Sequence, residues 1–216
     1  TAKLIENGGD KGISAFIADA GTAGLSLGEP EKKMGWKASD TRSVYFENMR
    51  VPAENILGNP SQGFKQFLRT LTGGRITIGA LSLGTAQGGY DAALRYSQER
   101  EAFGKAINKF QGVSFKLSDM ATQIQAAKHL VYHAAWLKDN GHDVIKEAAM
   151  AKLYASEMAM RVTTEAIQIH GGYGYIKEYD VERFFRDAKI LEIGEGTSEV
   201  QRIIIGREIL KSVSVA

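Results

Sequence analysis

The sequence predicts a mainly α-helical protein, in which a four-helix up-down bundle follows a short β-rich segment. Three observations support this fold class. Residues 11–52 are rich in glycine and in strand-forming residues, the chain beyond them follows a helical hydrophobic period, and all three prolines stand at Pro30, Pro52 and Pro60. Because proline disrupts helix interiors, the proline-free remainder of the chain is compatible with long helices.

Two runs in the first part of the chain have the composition of β-strands. Residues 13–19 form a short apolar run bounded by Gly12 and Gly21, and residues 41–47 mix β-branched with aromatic residues. Such residues favour strands, and the glycine and proline between the runs indicate turns. The first fifty or so residues are therefore predicted to be β-rich.

Apolar residues recur at spacings of three and four in the middle of the chain. This spacing places them on one face of a helix, which we expect to end at Asn140 and Gly141. The residues of this predicted face are Val113, Leu117, Met120, Ile124, Ala127, Val131 and Ala134.

Three further helices complete the predicted bundle. The first spans about residues 63–100, and we expect two glycine pairs, at residues 73–74 and 88–89, to loosen it. The next runs through an alanine- and methionine-rich stretch at residues 143–170, and the last begins near Thr197. Long helices joined by short links predict an antiparallel four-helix bundle.

Composition excludes several classes of function. The net charge is +2, and the basic residues are interleaved with acidic ones, so neither nucleic acid nor a membrane surface is an expected partner. No apolar stretch reaches the ~20 residues of a membrane-spanning helix. Cysteine is absent, which excludes disulfides and thiolate metal sites. His129, His133 and His142 lack a carboxylate placed to complete a metal site, so we expect no metal.

Three motifs could bind a ligand, and each has a structural alternative. Residues 168–175 (QIHGGYGY) form either a helix C-cap with a turn or a glycine loop that lets the backbone approach a ligand. Arg100, between two helices, either caps a helix end or binds a phosphate. In residues 71–75 (LTGGR) the adjacent glycines either kink a helix or leave room for packing or a ligand.

Glu195 is the residue best placed for acid–base chemistry. It stands between Gly194 and Gly196, which leave room beside its carboxylate for a substrate or a flat ring system. The structural alternative is a solvated loop that caps the last helix, with Ser198 and Gln201 as a capping box. The functional alternative is a general base.

These motifs follow the order found in acyl-CoA dehydrogenases, and the chain resembles that family over nearly its whole length. Residues 35–52 resemble the last strands of the family's β-domain, residues 168–187 its C-terminal signature, and residues 195–202 (EGTSEVQR) the segment with its catalytic glutamate. The resemblance implies that residues 1–53 are the C-terminal part of a middle β-domain. Residues 54–216 are then a C-terminal four-helix-bundle domain of a full-length α+β protein.

The resemblance also implies a reaction. Glu195 removes the α-proton of a fatty acyl-CoA thioester while the β-hydrogen leaves as hydride to FAD, and the product is a trans-2-enoyl-CoA. The α-proton is weakly acidic, so the base must be oriented and the enolate stabilised. Electrons then pass to electron-transfer flavoprotein. The expected enzyme is a short- or medium-chain, butyryl-CoA dehydrogenase-like homo-oligomer, and the resemblance implies a tetramer.

The chain opens at Thr1 without a signal peptide, and we interpret it as part of a longer protein in which any targeting segment precedes it. The implied compartment is the cytoplasm of a bacterium or the mitochondrial matrix of a eukaryote. Since the resemblance places part of the flavin site in the missing β-domain, we expect this chain by itself to be inactive.

The residue roles implied by the resemblance fall into three groups beside the base. Thr72, Arg75 and Gly196 contact the substrate, and Thr197 and Glu199 contact FAD next to the base. The residues that reach FAD bound to a neighbouring subunit are Arg100, Phe103, Gln111, Gln168, Gly171 and Gly172.

The chain departs from the family pattern at two positions. Thr72 stands where Asp is frequent, and Gly194 stands where several members carry Tyr. Some members carry the base just before the arginine of the substrate-contacting helix, but here that position is Gly74, which leaves Glu195 as the base. Two alternatives remain open: an acyl-CoA oxidase on the same fold, marked by peroxide release, and an inactive oligomerisation and binding module.

Overall fold

The computed structural model describes residues 1–211, with the side chain of Glu6 excepted, so the last five residues of the predicted helical domain lie outside it. The described chain divides into two compact units. One comprises residues 1–33 and 37–71, and the other comprises residues 34–36 and the chain from residue 72 onward.

Short antiparallel hairpins supply the strands of the first unit. β1 (Ala2–Glu6) pairs with β2 (Gly9–Ser14), and β3 (Leu25–Leu27) pairs with β4 (Val44–Phe46). The predicted strand at residues 41–47 is therefore found in shorter form. The predicted strand at residues 13–19 is wrong beyond Ser14, because from there the chain makes only an isolated bridge, between Phe16 and Ile56.

Helices dominate the described chain, and the mainly α-helical fold class is confirmed. A two-residue hairpin, β5 (Glu101–Ala102) with β6 (Lys105–Ala106), links the first two helices. The helices are α1 (Gly63–Glu99), α2 (Gln111–Asp139), α3 (Ile145–His170), α4 (Val181–Ile193) and α5 (Ser198–Lys211).

α3 is the central helix of the second unit. It packs against α2, α4 and α5, and its buried side chains surround most of its circumference, as expected for a helix without a solvent face. Alanine at many of these positions lets neighbouring helices approach closely. The predicted face of α2 is confirmed: all of its residues from Leu117 to Ala134 are buried, and Val113 is half-buried.

The glycine pairs of α1 do not loosen it, contrary to the prediction, and the helix is continuous. The paired glycines instead lie where a side chain of another element comes close. A Cβ atom at Gly88 would stand 2.9 Å from the Phe184 ring, and one at Gly89 would stand 3.5 Å from the Thr163 methyl group. At these positions glycine lowers the helical propensity of α1, but its missing side chain permits the close packing.

The sequence analysis missed α4, which is the fourth helix of the bundle. Tyr179, just before it, contacts His170 at the end of α3, and Phe184 contacts α1. α4 therefore runs antiparallel to α3 and completes an up-down-up-down arrangement of α1 to α4. The helix predicted near Thr197 is α5, an additional helix that packs on α3.

Within residues 1–211, no helix combines the length and apolar character that crossing a membrane requires. The same residues contain no group of three His, Cys, Asp or Glu side chains able to hold a metal ion.

We predict opposite effects on stability for two glycine-to-alanine substitutions. Gly174, in the turn after α3, has the Ile167 carbonyl oxygen only 2.5 Å from the site of a Cβ atom, whereas Gly84 has no atom within 4 Å. Gly174→Ala should lower the free energy of unfolding by about 1–3 kcal/mol through overpacking. Gly84→Ala, the control, should raise it by about 0.5–1 kcal/mol. Chemical denaturation measures both, and equal effects would contradict the assigned packing.

Candidate functional site

The loop between α4 and α5 presents Glu195 in a strained backbone conformation. α4 ends at Ile193, and Glu195 has φ 55° while Gly196 has φ 93°. The left-handed region suits glycine but costs a residue with a side chain about 1 kcal/mol. Such a conformation persists only where the surroundings hold it, and it is enriched at functional sites.

Two buried side chains hold this loop through its carbonyl oxygens. Gln201 of α5 donates from Nε2 to the carbonyls of Glu195, at 3.2 Å, and Gly196, at 2.8 Å. Lys152 of α3 donates from Nζ to the Gly196 carbonyl at 2.8 Å. Neither side chain has any exposed surface. The loop is therefore fixed from two directions.

The predicted capping box at the start of α5 is wrong. The Thr197 hydroxyl, one residue earlier, accepts the Val200 N–H at 3.4 Å and is the cap. The Ser198 hydroxyl is buried and, among the described residues, has no hydrogen-bond partner. Gln201 does not complete a box, because its Nε2 is bound to the loop carbonyls and its Oε1 has no hydrogen-bond partner in the described part of the chain.

Gly74 is the residue of α1 that lies next to the Glu195 carboxylate. A Cβ atom at Gly74 would lie 2.7 Å from Oε2 of Glu195. Glu195 itself is exposed to solvent within this unit. The carboxylate therefore points into open space beside Gly74, and any side chain at position 74 would compete with it.

Arg75, the residue after Gly74, brings a positive charge to this region. Its side chain is buried, and its Nε atom has no hydrogen-bond partner in the described part of the chain. Burial lowers the pKa of Arg75, while the negative charge of Glu195 acts in the opposite direction. Thr72 is half-buried and lies about one helical turn before Arg75 on α1. Of the predicted substrate residues, Arg75 and Gly196 therefore lie beside Glu195, and Thr72 lies on the same helix as Arg75.

Thr197 and Glu199 stand at the start of α5, as their predicted role next to the base requires. The backbone N–H of Glu199 itself, and then the Thr197 hydroxyl, donate to the Glu199 carboxylate and hold its pKa below the usual range. A helix N-terminus also favours negative charge. Glu199 is therefore ionised and oriented by its own loop.

A second cluster of predicted residues lies at the opposite end of the helices. Arg100, Gly171 and Gly172 line a cavity of about 520 Å³. The Arg100 guanidinium lies 5.7 Å from the centre of the Tyr173 ring, and His170 stacks on Tyr96 with their ring centres 4.2 Å apart. Burial lowers the pKa of His170. The cavity thus combines a cation, stacked rings and glycine backbone.

The other three predicted flavin residues are exposed near this cavity without lining it. Phe103 has a positive φ of 51° and is 95% exposed. Gln111 is the first residue of α2, and Gln168 lies in the last turn of α3. Their exposure leaves them able to contact another molecule.

The two clusters are too far apart to bind one small molecule. α1 carries Arg75 at one and ends at Glu99 beside the other. At a rise of 1.5 Å per residue these positions are roughly 36 Å apart. The structure therefore divides the predicted site residues into two half-sites on one chain.

Sequence reasoning missed the roles of four residues that shape these half-sites: Lys152, Gln201, Tyr96 and His170. A usable signal existed for Lys152, which interrupts a run of small apolar residues at a core position of α3. Charged residues are rarely fully buried without a specific reason. His170 lies inside the motif at residues 168–175, but nothing in the sequence indicated that its ring stacks on Tyr96.

Comparison with known proteins matches both the sequence and the fold. Residues 61–210 match the family model described as acyl-CoA dehydrogenase, C-terminal domain. A probable acyl-CoA dehydrogenase of Bacillus subtilis is 56% identical over 199 residues, which are 92% of this chain and 52% of that protein. A subunit of the caffeyl-CoA reductase–Etf complex of Acetobacterium woodii is 48% identical over 97% of this chain and 55% of its own length.

Among solved structures, butyryl-CoA dehydrogenase from Megasphaera elsdenii superposes with a TM-score of 0.93 at 50% identity, over 97% of this chain and 55% of that one. The chain thus spans about half the length of the curated relatives it matches.

We predict that Gly74→Ala blocks the space next to the Glu195 carboxylate without unfolding the bundle. The new methyl group would lie 2.7 Å from Oε2, so the carboxylate has to rotate away. Gly73→Ala is the matched control, because its methyl group meets only the Nζ end of the exposed Lys138 side chain. Both variants should melt at or above the wild-type temperature. A crystal structure of Gly74→Ala with Glu195 unmoved would refute this.

Proposed function

Since this chain belongs to the acyl-CoA dehydrogenase family, we propose that the protein catalyses FAD-dependent α,β-dehydrogenation of a short- or medium-chain acyl-CoA thioester to the trans-2-enoyl-CoA. The observation that carries this proposal is the position of the Glu195 carboxylate, held on a fixed loop in open space beside Gly74. The family model's range supports assigning residues 54–216 to the C-terminal bundle domain and residues 1–53 to the β-domain.

The residues around Glu195 have the properties that α-proton abstraction needs. A thioester α-proton is only weakly acidic, so the base has to be oriented before the reaction. The hydrogen bonds to the carbonyls of Glu195 and Gly196 supply this orientation. Gly74 leaves the space that an acyl chain would fill, and Arg75 supplies a buried positive charge for an anionic group. We assign Thr72 and Gly196 to the same substrate.

The residues present fit the flavin that the family uses. The cavity at Arg100 offers a guanidinium suited to phosphate, stacked rings suited to a flat heterocycle, and two glycines whose missing side chains leave the backbone accessible. Thr197 and Glu199 are assigned to the flavin beside the base. When bound, FAD accepts the hydride that leaves the β-carbon.

The distance between the two half-sites supports an oligomeric enzyme. One FAD molecule is too short to reach both the Glu195 loop and the Arg100 cavity of a single chain. We therefore assign Arg100, Phe103, Gln111, Gln168, Gly171 and Gly172 to the flavin of a neighbouring subunit. A closed homo-oligomer supplies this arrangement at every site, and we propose a tetramer.

The proposed electron acceptor is electron-transfer flavoprotein, because the name of the Acetobacterium woodii relative places it in a complex with Etf. That relative is named as a reductase, and Glu195 can serve either direction because a carboxylic acid returns the proton it has accepted. Peroxide formation with oxygen would instead mark an oxidase. The implied compartment is the bacterial cytoplasm, or the mitochondrial matrix in a eukaryote.

We predict that Glu195→Gln in the full-length enzyme abolishes flavin reduction by butyryl-CoA and keeps flavin and substrate bound. The amide is nearly the same size as the carboxylate but cannot accept the proton. Glu208→Gln is the control, since this carboxylate pairs with Lys211 on the surface of α5. Anaerobic stopped-flow absorbance measures the reaction. Rapid bleaching of the Glu195→Gln flavin would remove Glu195 as the base.

We also predict complementation between subunits. Arg100→Ala should weaken flavin retention, and Glu195→Gln should stop turnover, so each variant alone is nearly inactive. In mixed oligomers, an intact Arg100 from one chain meets an intact Glu195 from the other, and activity should return to a substantial fraction of wild type. If co-expression of the two variants restores no activity although mixed oligomers form, the two half-sites do not meet across subunits.

A further inference from the structure

Lys152 is fully buried in the second unit, which is unusual for a charged side chain. Its side chain has no exposed surface, and it is among the largest fully buried side chains of the described residues. Burying an ammonium group is costly unless it is compensated. Within residues 1–211, no carboxylate lies close enough for a direct ion pair with Lys152, and its hydrogen bond goes to the Gly196 carbonyl at 2.8 Å.

The electrostatic surroundings explain how this charge is tolerated. Glu192 at the end of α4, Glu195 in the loop and Glu199 at the start of α5 all stabilise the ammonium form, while Arg75 of α1 opposes it. Burial dominates and lowers the pKa of Lys152 to about 8. The ammonium group thus lies among the charged residues of the Glu195 half-site.

We propose that Lys152 is a positioning residue for the base: it holds the Gly196 carbonyl and thereby fixes the left-handed backbone that aims the Glu195 carboxylate at the space beside Gly74. This inference rests on the proposed function of Glu195.

The geometry gives Lys152 a role that Gln201 does not duplicate. Gln201 binds the loop from α5. Because the first turn of α5 is continuous with the loop, Gln201 moves together with the loop. Lys152 reaches the same carbonyl from α3, the central helix. It therefore ties the loop to the rigid core. Without this bond the peptide between Glu195 and Gly196 is free to rotate towards a less strained conformation, and the carboxylate moves with it.

The charge of Lys152 adds a pH signature to this role. Below pH 8 the ammonium form balances the three surrounding glutamates, and above it the neutral amine no longer does. The wild-type rate of flavin reduction should therefore decline on the alkaline side near pH 8. The position of that decline depends on Glu192, Glu195, Glu199 and Arg75, which face the amine from four segments of the chain.

The test uses the full-length holoenzyme with Lys152→Met, which removes both donor and charge. Lys146→Met is the control on the same helix, because that lysine is partly exposed and pairs only with Glu147. In Lys152→Met we expect normal FAD content, a KM for butyryl-CoA within about threefold of wild type, and flavin reduction slowed about a hundredfold, a loss typical of a small misplacement. The alkaline decline should disappear.

Two further readouts do not depend on turnover. Hydrogen exchange of the amides of residues 194–197 should accelerate in Lys152→Met and stay unchanged in Lys146→Met. In the Glu195→Gln background, adding Lys152→Met should leave the Kd for butyryl-CoA within about threefold, because orientation of the base does not contribute to ground-state binding.

The outcomes separate this inference from the proposed function. If Glu195→Gln still reduces its flavin, the assignment of the base fails. If Glu195→Gln is inactive and Lys152→Met reacts at the wild-type rate, only the positioning role is overturned. If Lys152→Met loses flavin or unfolds, Lys152→Gln decides, because its amide keeps the buried position polar but places the donor nitrogen one atom short of the reach of Nζ to the Gly196 carbonyl. A Lys152→Gln enzyme that reacts at the wild-type rate, or that also unfolds, overturns the inference.

Discussion

Close approach between helices is the constraint on which both half-sites depend. Glycine on α1 and alanine on α3 let the helix backbones come near each other, since a Cβ atom at Gly79 of α1 would stand 3.1 Å from Cγ2 of Val131 and 3.5 Å from the Ala151 carbonyl oxygen. A bulkier residue at such positions would push α1 outward. Because Gly74 lies on the same helix, its distance from the Glu195 loop is set by this packing and not by the loop alone.

The length of the helices then determines how one chain contributes to two sites. α1 is a continuous rod from the Glu195 half-site to the Arg100 half-site, and α3 spans the same interval from Lys152 to His170. A rigid helix fixes the separation of its two ends. In the oligomer proposed above, a second subunit therefore completes each site, and the bundle holds the Glu195 loop and the Arg100 cavity of one chain at a fixed separation.

The sequence predicted the parts of this structure that depend on local periodicity. The face of α2 was predicted residue by residue, because burial on one side of a helix leaves a regular apolar pattern. α4 was missed although Val181, Ala188 and Leu191 follow the same apolar pattern. In so short a segment, the charged residues between them obscure the pattern. The strain at Glu195 and the hydrogen bonds of Gln201 could not be predicted, because they depend on tertiary contacts that no local spacing encodes.

Lys152 shows why residue type alone is a poor guide to the role of a charge. Read along the chain it is one lysine in an amphipathic helix, for which solvent exposure is the expected outcome. Its position on α3, against which α2, α4 and α5 pack, instead brings it under the loop, where it donates to the Gly196 carbonyl next to the strained Glu195 and lies among Glu192, Glu195 and Glu199. The hydrogen bond and the nearby carboxylates offset part of the free-energy cost of burying the ammonium group. In the proposed reaction, a carboxylate whose loop is already fixed by a buried cation needs no further rearrangement to meet its substrate, and this preorganisation favours removal of a weakly acidic proton.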